Sequence, residues 1–260
     1  MNVKMNPNHI NTDNNIIDEM KIINKKNIKY EGNNYTLLNY DPNFICDDDI
    51  VKGSYNSVLI NSNNIILSVG QCKTVQFDTF KRLTEDNNDK NITVEPLIEG
   101  ISMNLFYDTY NKKWDFCTKN SIGANYSYYK TKDDKYLTFK EMFLDAIQLS
   151  KNTDINEWEV LKNVKVNYCM QFILMHPQHH NVFVVERPKV YFIGCSIIHY
   201  DNIFNNIYYM NRNENEIFFN EIFFNCGKID MTSSSIITTN IDYNVLCEEV
   251  NKDDPHSRQI

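Results

Sequence analysis

Val94-Glu95-Pro96-Leu97-Ile98-Glu99-Gly100 runs directly into Ile101-Ser102-Met103-Asn104-Leu105-Phe106-Tyr107-Asp108. The second block is made of residues that suit a pleated, half-buried surface, and the first ends in a glycine, which permits a turn that a Cβ would hinder. Together they predict a turn feeding a strand over 101–108, with Thr93-Val94-Glu95 as a short strand ahead of it. A turn at Asn111-Lys112-Lys113 and a further strand, Trp114-Asp115-Phe116-Cys117-Thr118, follow. Upstream, Ser57-Val58-Leu59-Ile60, the turn Asn61 to Asn64 and Ile65-Ile66-Leu67-Ser68-Val69 read as a hairpin.

Farther along, the apolar spacing changes. From Thr138, Phe139, Phe143, Ala146, Ile147 and Ser150 recur at helical intervals, and Thr138 with Glu141 three residues later predicts a capping box. Ile155 to Leu161 reads as a shorter helical piece. Cys169 to Met175, Val182 to Glu186 and Val190 to His199 then read as strands, and aromatic runs continue at Ile207 to Met210 and Ile217 to Phe224. Residues 1–30 are expected to form a flexible N-terminal arm with one short helix on Ile16-Ile17, Met20 and Ile22-Ile23, and residues 31–260 a single domain.

Composition bounds the function. With 16 Tyr and 15 Phe but only 7 Gly and 6 Pro, the chain is expected to be rich in sheet, with Asn and Asp forming its turns. The Asn runs point to an AT-rich genome, such as that of a large DNA virus, a bacterium or a parasite. A formal charge of -8 disfavours indiscriminate binding of nucleic acid, so any such site must be local. Seven scattered cysteines lack the close pairing of a disulfide framework or zinc knuckle, and free thiols in a reducing, cytoplasmic compartment are expected. No stretch approaches the roughly 18 to 20 apolar residues of a membrane span, so no membrane partner is expected.

Three other stretches accompany the opening one. Cys72-Lys73-Thr74-Val75-Gln76-Phe77-Asp78-Thr79-Phe80 follows the first hairpin, Thr118-Lys119-Asn120-Ser121 closes the strand after 101–108, and Cys169-Met170-Gln171-Phe172-Ile173-Leu174-Met175-His176-Pro177 precedes His179-His180. In this order, between about Gly53 and Gly194, the four resemble the nucleotidyltransferase domain of ATP-dependent RNA ligases of the phage tRNA-repair type. Leu97-Ile98-Glu99-Gly100 is similar to that family's Lys-x-Asp-Gly element, Thr118-Lys119-Asn120-Ser121 to its Ser-Lys-Gly-Ser element, and Lys73 to a basic residue delivered ahead of a short aromatic helix. Phe172-Ile173 is similar to its Phe-Glu pair. The chain departs from the pattern where Leu97 replaces the lysine, Ile173 the glutamate, and His179-His180 an Asn-Arg pair. Glu248-Glu249-Val250 is a poor match to the family's Glu-Gly strand, and nothing matches its final Lys-x-Lys strand.

The resemblance implies a mixed α/β (α+β) fold with antiparallel sheets, the ATP-grasp-like adenylation domain of RNA and DNA ligases, with a nucleotide cleft between sheets. It implies ATP and Mg2+ as cofactors, nucleotide and RNA as partners, and leaves room for a protein partner. Lys73, Glu99 and Lys119 become candidate catalytic residues, and Lys73, Glu99, Gly100, Lys119 and Phe172 candidate nucleotide contacts. The family stores AMP on a lysine amine, and Leu97 offers no nucleophile for that step. Three readings therefore stand: a divergent ligase, a catalytically inactive relative that binds RNA or protein, or an interaction domain whose four matches are coincidental. Lys73 and Lys119 read equally as solvated strand-end lysines, and Glu99 as a turn carboxylate. His176, His179 and His180 have the spacing of a metal-binding group, but no resident metal is expected. Tyr126, Tyr128 and Tyr129 with Lys130 and Lys132 have the composition of a stacking platform for single strands or, more simply, of alternating strand faces.

Overall fold

A computed structural model describes residues 10, 22–46, 49–86, 92–127, 136–179, 184–200 and 205–237. The chain builds two antiparallel sheets that pack face to face. The first has four strands in the order β1 (Ile23–Tyr30), β2 (Asn33–Tyr40), β3 (Val58–Asn61) and β4 (Ile66–Ser68). Residues 23–30, assigned above to a flexible arm, are thus a full strand, because Glu31 and Gly32 both take positive φ and close a tight hairpin between β1 and β2. The short helix expected on 16–23 falls mostly outside the described residues.

The larger sheet is built on β6 (Ile101–Asp108), β7 (Lys113–Thr118), β8 (Ser121–Ile122), β9 (Tyr168–Met175), β10 (Lys189–Tyr200) and β11 (Asn205–Tyr209), in the order β11-β10-β9-β6-β7-β8. A two-residue strand, β12 (Asp230–Met231), adds in parallel beside β10. Separately, β5 (Ile92–Val94) pairs with β13 (Ser235–Ile237). The strand expected at Val182 to Glu186 is not formed at 184–186, where Val184 is 89% exposed.

Each face of the larger sheet has its own core. On one side, Met103, Leu105, Phe116, Met170, Phe172, Leu174 and Phe192 pack against α2 (Phe139–Ala146), two short 3-10 turns and α3 (Arg212–Ile222). The predicted capping box opens α2: Glu141 N donates to Thr138 Oγ1 and Thr138 N to Glu141 Oε2. The helix stops at Ala146, earlier than the apolar spacing implied, because Gln148 turns into the left-handed region at φ 61°. On the other side, Phe106, Cys117, Cys169, Ile198 and Ile207 meet Leu37, Val58, Ile60 and Ile66 of the smaller sheet and Val69 just after it.

Buried polar side chains stitch the sheets together. Tyr35 OH donates to Asp108 at 2.6 Å, and Tyr30 OH donates to Asp115 at 2.8 Å. Burial pushes the Asp115 carboxyl above the usual carboxylate range, while the Phe116 N–H and the Tyr30 hydroxyl pull it back down. The segment after β4, Val69 to Cys72, crosses the larger sheet and leads to α1 (Phe77–Asp86), the aromatic helix expected after Lys73.

Candidate functional site

Strand alternation decides what each sheet face offers. On β6 the side facing the smaller sheet carries Ser102, Asn104, Phe106 and Asp108, and on β9 it carries Ile173, Gln171 and Cys169. The register then builds two cross-strand rows, Ser102–Ile173–Tyr191 and Asn104–Gln171–Gly194. A bulge between Phe192 and Gly194 inserts Ile193, so Tyr191 before it and Ser196 and Ile198 after it share one face despite their mixed parity.

The inner row is sealed and polar. Gln171 Nε2 donates to Val69 O at 3.2 Å and to Ser196 Oγ at 3.1 Å, and Asn104 Nδ2 donates to Ser68 Oγ at 3.2 Å. These bonds close the rear of the space between sheets. The outer row is open: Ser102 is exposed, and Ile173 and Tyr191 are half-buried. Lys189 lies beside it, with Nζ 6.0 Å from the Tyr191 ring centre and 3.5 Å from its hydroxyl.

Gly100, Glu99 and Lys119 lie where β6 begins and β7 ends, Lys73 lies on the chain after β4, and Phe172 lies on the opposite face of the larger sheet. Gly100 abuts β9 so closely that a Cβ would lie 2.5 Å from Leu174 O. Glu99, exposed, precedes it, and Leu97 is 91% exposed in the same loop. Lys119 occupies the β7–β8 turn at the same sheet edge, because Thr118 pairs with Met103. Asn39 and Lys26 donate to the carbonyls of Lys119 and Asn120, and Lys119 Nζ sits 5.8 Å from the centre of the Tyr40 ring. Lys73 follows the crossing segment; its N–H donates to Gly53 O at 2.8 Å and its Nζ to Thr74 O at 3.3 Å.

Phe172 pairs with Met103 and Phe192 on that opposite face, where it is 0% exposed among Phe143, Phe192 and Phe223 at centroid distances of 5.4 to 5.9 Å. Neighbours on a strand point to opposite faces, so Phe172 and the cleft-facing Ile173 cannot both reach the floor. Reading for adjacency in sequence missed Ser102, Asn104, Gln171 and Tyr191. The available signal was polar residues at every second position of otherwise apolar strands.

His176 is structural. Its Nδ1 accepts from Gln178 N at 3.1 Å, which leaves Nε2 to donate to Asp145 at 3.0 Å. His180 lies outside the described residues, and among those described no three His, Cys, Asp or Glu side chains converge on a metal position. Tyr126 is engaged in packing, its hydroxyl 3.0 Å from Thr118 Oγ1 and its ring edge-on to Phe139; Tyr128, Tyr129, Lys130 and Lys132 lie outside the described residues.

Burial lowers the His176 pKa, and the Asp145 carboxylate only partly offsets it. The native state therefore binds the proton less readily than the unfolded chain, whose histidine titrates near ~6.5, and stability is lost as pH falls through that value. Melting temperatures between pH 7.5 and 5 are expected to drop for the native chain and to drop less for His176→Gln. Parallel curves would refute this assignment.

No helix among the described residues is long and apolar enough to cross a membrane. Described cysteines are free, with Cys117, Cys169 and Cys195 buried. No protein-family model matches the sequence, and no curated protein matches it. A solved structure described as an ATP-dependent DNA ligase from Aquifex aeolicus matches with a TM-score of 0.52 at 10% identity, over 90% of this chain and 53% of that one. The chain thus spans about half the length of that ligase. At such low identity the likeness concerns architecture alone: this chain shares its mixed α/β, mainly antiparallel fold with that structure.

Proposed function

We propose that this chain is an RNA-ligase-like nucleotidyltransferase domain that binds ATP and RNA ends along the open Ser102–Ile173–Tyr191 floor, in the cytoplasm, and that position 97 no longer carries a covalent step. The exposure of Leu97 carries the reading. It stands at the mouth of the floor, in the loop that enters β6 beside Glu99 and Gly100, where the resemblance calls for a lysine. An aliphatic side chain has no lone pair with which to attack a phosphate. Lys119 and Lys189 supply positive charge at the rim, Lys73 directly follows the segment that crosses the sheet, and the half-buried Tyr191 ring offers an apolar surface.

These residues suit a nucleotide held by rim cations and an apolar floor. They suit a protein-held Mg2+ poorly, since Ile173 stands where the resemblance calls for a carboxylate and the described residues hold no cluster of three ligands. Magnesium, if used, enters as the counter-ion of the phosphates, which it commonly accompanies with few protein ligands. The same exposed Leu97 also favours a second reading, an inactive relative whose mouth binds another protein.

Labelled ATP with Mg2+, followed by equilibrium binding and by intact mass after denaturation, tests the proposal. Saturable binding with no added nucleotide mass is expected, together with binding of 5′-phosphorylated single-stranded RNA. A covalent adduct would overturn the role given to Leu97, and absence of any ATP binding would overturn the nucleotide reading.

A further inference from the structure

The loop that carries Leu97 and Glu99 is tied down at both ends. The far end is Gly100, which runs so close to β9 that a Cβ would meet the Leu174 carbonyl. The near end is Glu95, which follows β5 and meets Arg212 at the start of α3. Arg212 is only 12% exposed. Its Nη1 donates to Glu95 Oε2 at 2.8 Å and to Thr232 Oγ1 at 3.2 Å, its Nε donates to Glu216 Oε1 at 2.7 Å, and its Nη2 donates to Thr232 O. Thr232 Oγ1 adds a second bond to Glu95 Oε2 at 2.8 Å, and Ser234 Oγ donates to Glu216 at 3.3 Å. One guanidinium thus joins the loop, the helix start and the chain leading into β13.

The same helix turn also reaches the floor. Asn211 caps it, with Glu214 completing a capping box, and Asn215 Oδ1 accepts from Cys195 N at 2.8 Å just beyond the Ile193 bulge. The first turn of α3 therefore holds the mouth of the cleft through Arg212 and its floor through Asn215.

We infer that Arg212 is a positioning residue: through Glu95 it latches the four-residue span 96–99 in place at the cleft mouth and sets how that loop meets the ligand. The physics favours an all-or-none latch. Two carboxylates share one cation, so losing the cation turns attraction into repulsion between Glu95 and Glu216 and drives the loop off the helix. Losing Glu95 alone leaves Arg212 bound to Glu216 and Thr232, so the helix stays anchored while the loop is freed. The effect on ligand rests on the nucleotide-binding reading; the latch itself does not.

Hydrogen exchange of the full-length protein, without nucleotide, tests it. In Glu95→Ala and Arg212→Ala the amides of 97–100 are expected to exchange about tenfold faster, with β6 and β9 unchanged, while Glu95→Gln, which still accepts both bonds, stays near the native rate. ATP affinity is expected to fall about tenfold in the first two and to be retained in the third. Unchanged exchange at 97–100 in Glu95→Ala overturns the latch, and so does faster exchange spread through β6 and β9, which would mark a merely structural role. Freed amides with undiminished ATP affinity overturn the positioning role. If the native chain binds no ATP, the nucleotide reading fails and the exchange data alone decide the latch.

Discussion

Phe172→Ala is expected to destabilise the protein by about 3–5 kcal/mol, a large share of the ~5–15 kcal/mol that holds a typical domain together. The ring is fully buried at the crossing of β9 with α2 and α3, and it touches Phe143, Phe192 and Phe223. Truncation removes the transfer energy of the ring and leaves a void that three aromatic neighbours, each held by its own element, cannot collapse to fill. Denaturant titration measures the loss directly. Phe172→Leu preserves most of the volume and is expected to bind ATP as the native chain does, because the position faces away from the floor. A well-folded Phe172→Leu protein with lost ATP binding would restore the nucleotide contact that the resemblance implied.

Gly100→Ala should cost about 1–3 kcal/mol or more, a surprising amount for adding one methyl group at a loop end. The new Cβ would stand 2.5 Å from Leu174 O and 2.6 Å from Ile173 Cγ2. Leu174 cannot retreat, since it is paired to Ile101 on one side and to Val190 on the other. Relief must come from the start of β6, which would shift Glu99 and Leu97 as well. Calorimetry is expected to show a lowered melting temperature together with weakened ATP binding. A variant as stable as the native protein would show that the approach of Gly100 to β9 is looser than the structure has it.

Much of this architecture could be read from the sequence where local chemistry was unambiguous. Thr138 and Glu141 announced α2, and the strand-suited residues from Ile101 to Asp108 after the Gly100 turn announced β6. The same logic was available at Asn211 and Glu214, which also form a capping box, yet the aromatic run Ile217 to Phe224 reads as strand material and hid α3. Phe218 with Ile222, and Phe219 with Phe223, were the helical spacing to notice. β1 was concealed by its composition: Asn24, Lys25, Lys26, Asn27 and Lys29 look like a solvated arm, and only pairing with β2 makes them a strand. The floor was the hardest part to foresee. It depends on which residues face each other across β6, β9 and β10, and an inserted Ile193 resets that relation in a way no local pattern announces.

The polar stitching between the sheets has a consequence for motion. Parting them would break the bonds from Gln171 to Val69, from Asn104 to Ser68 and from Tyr35 to Asp108 together, at about 1–3 kcal/mol for each group left unmet, so the stitching resists any opening between the sheets. In the proposed cleft, opening by parting of the sheets is therefore disfavoured. If the proposed nucleotide binds there, its entry and exit are expected to follow the loops at the rim, and its residence time to follow how often those loops open.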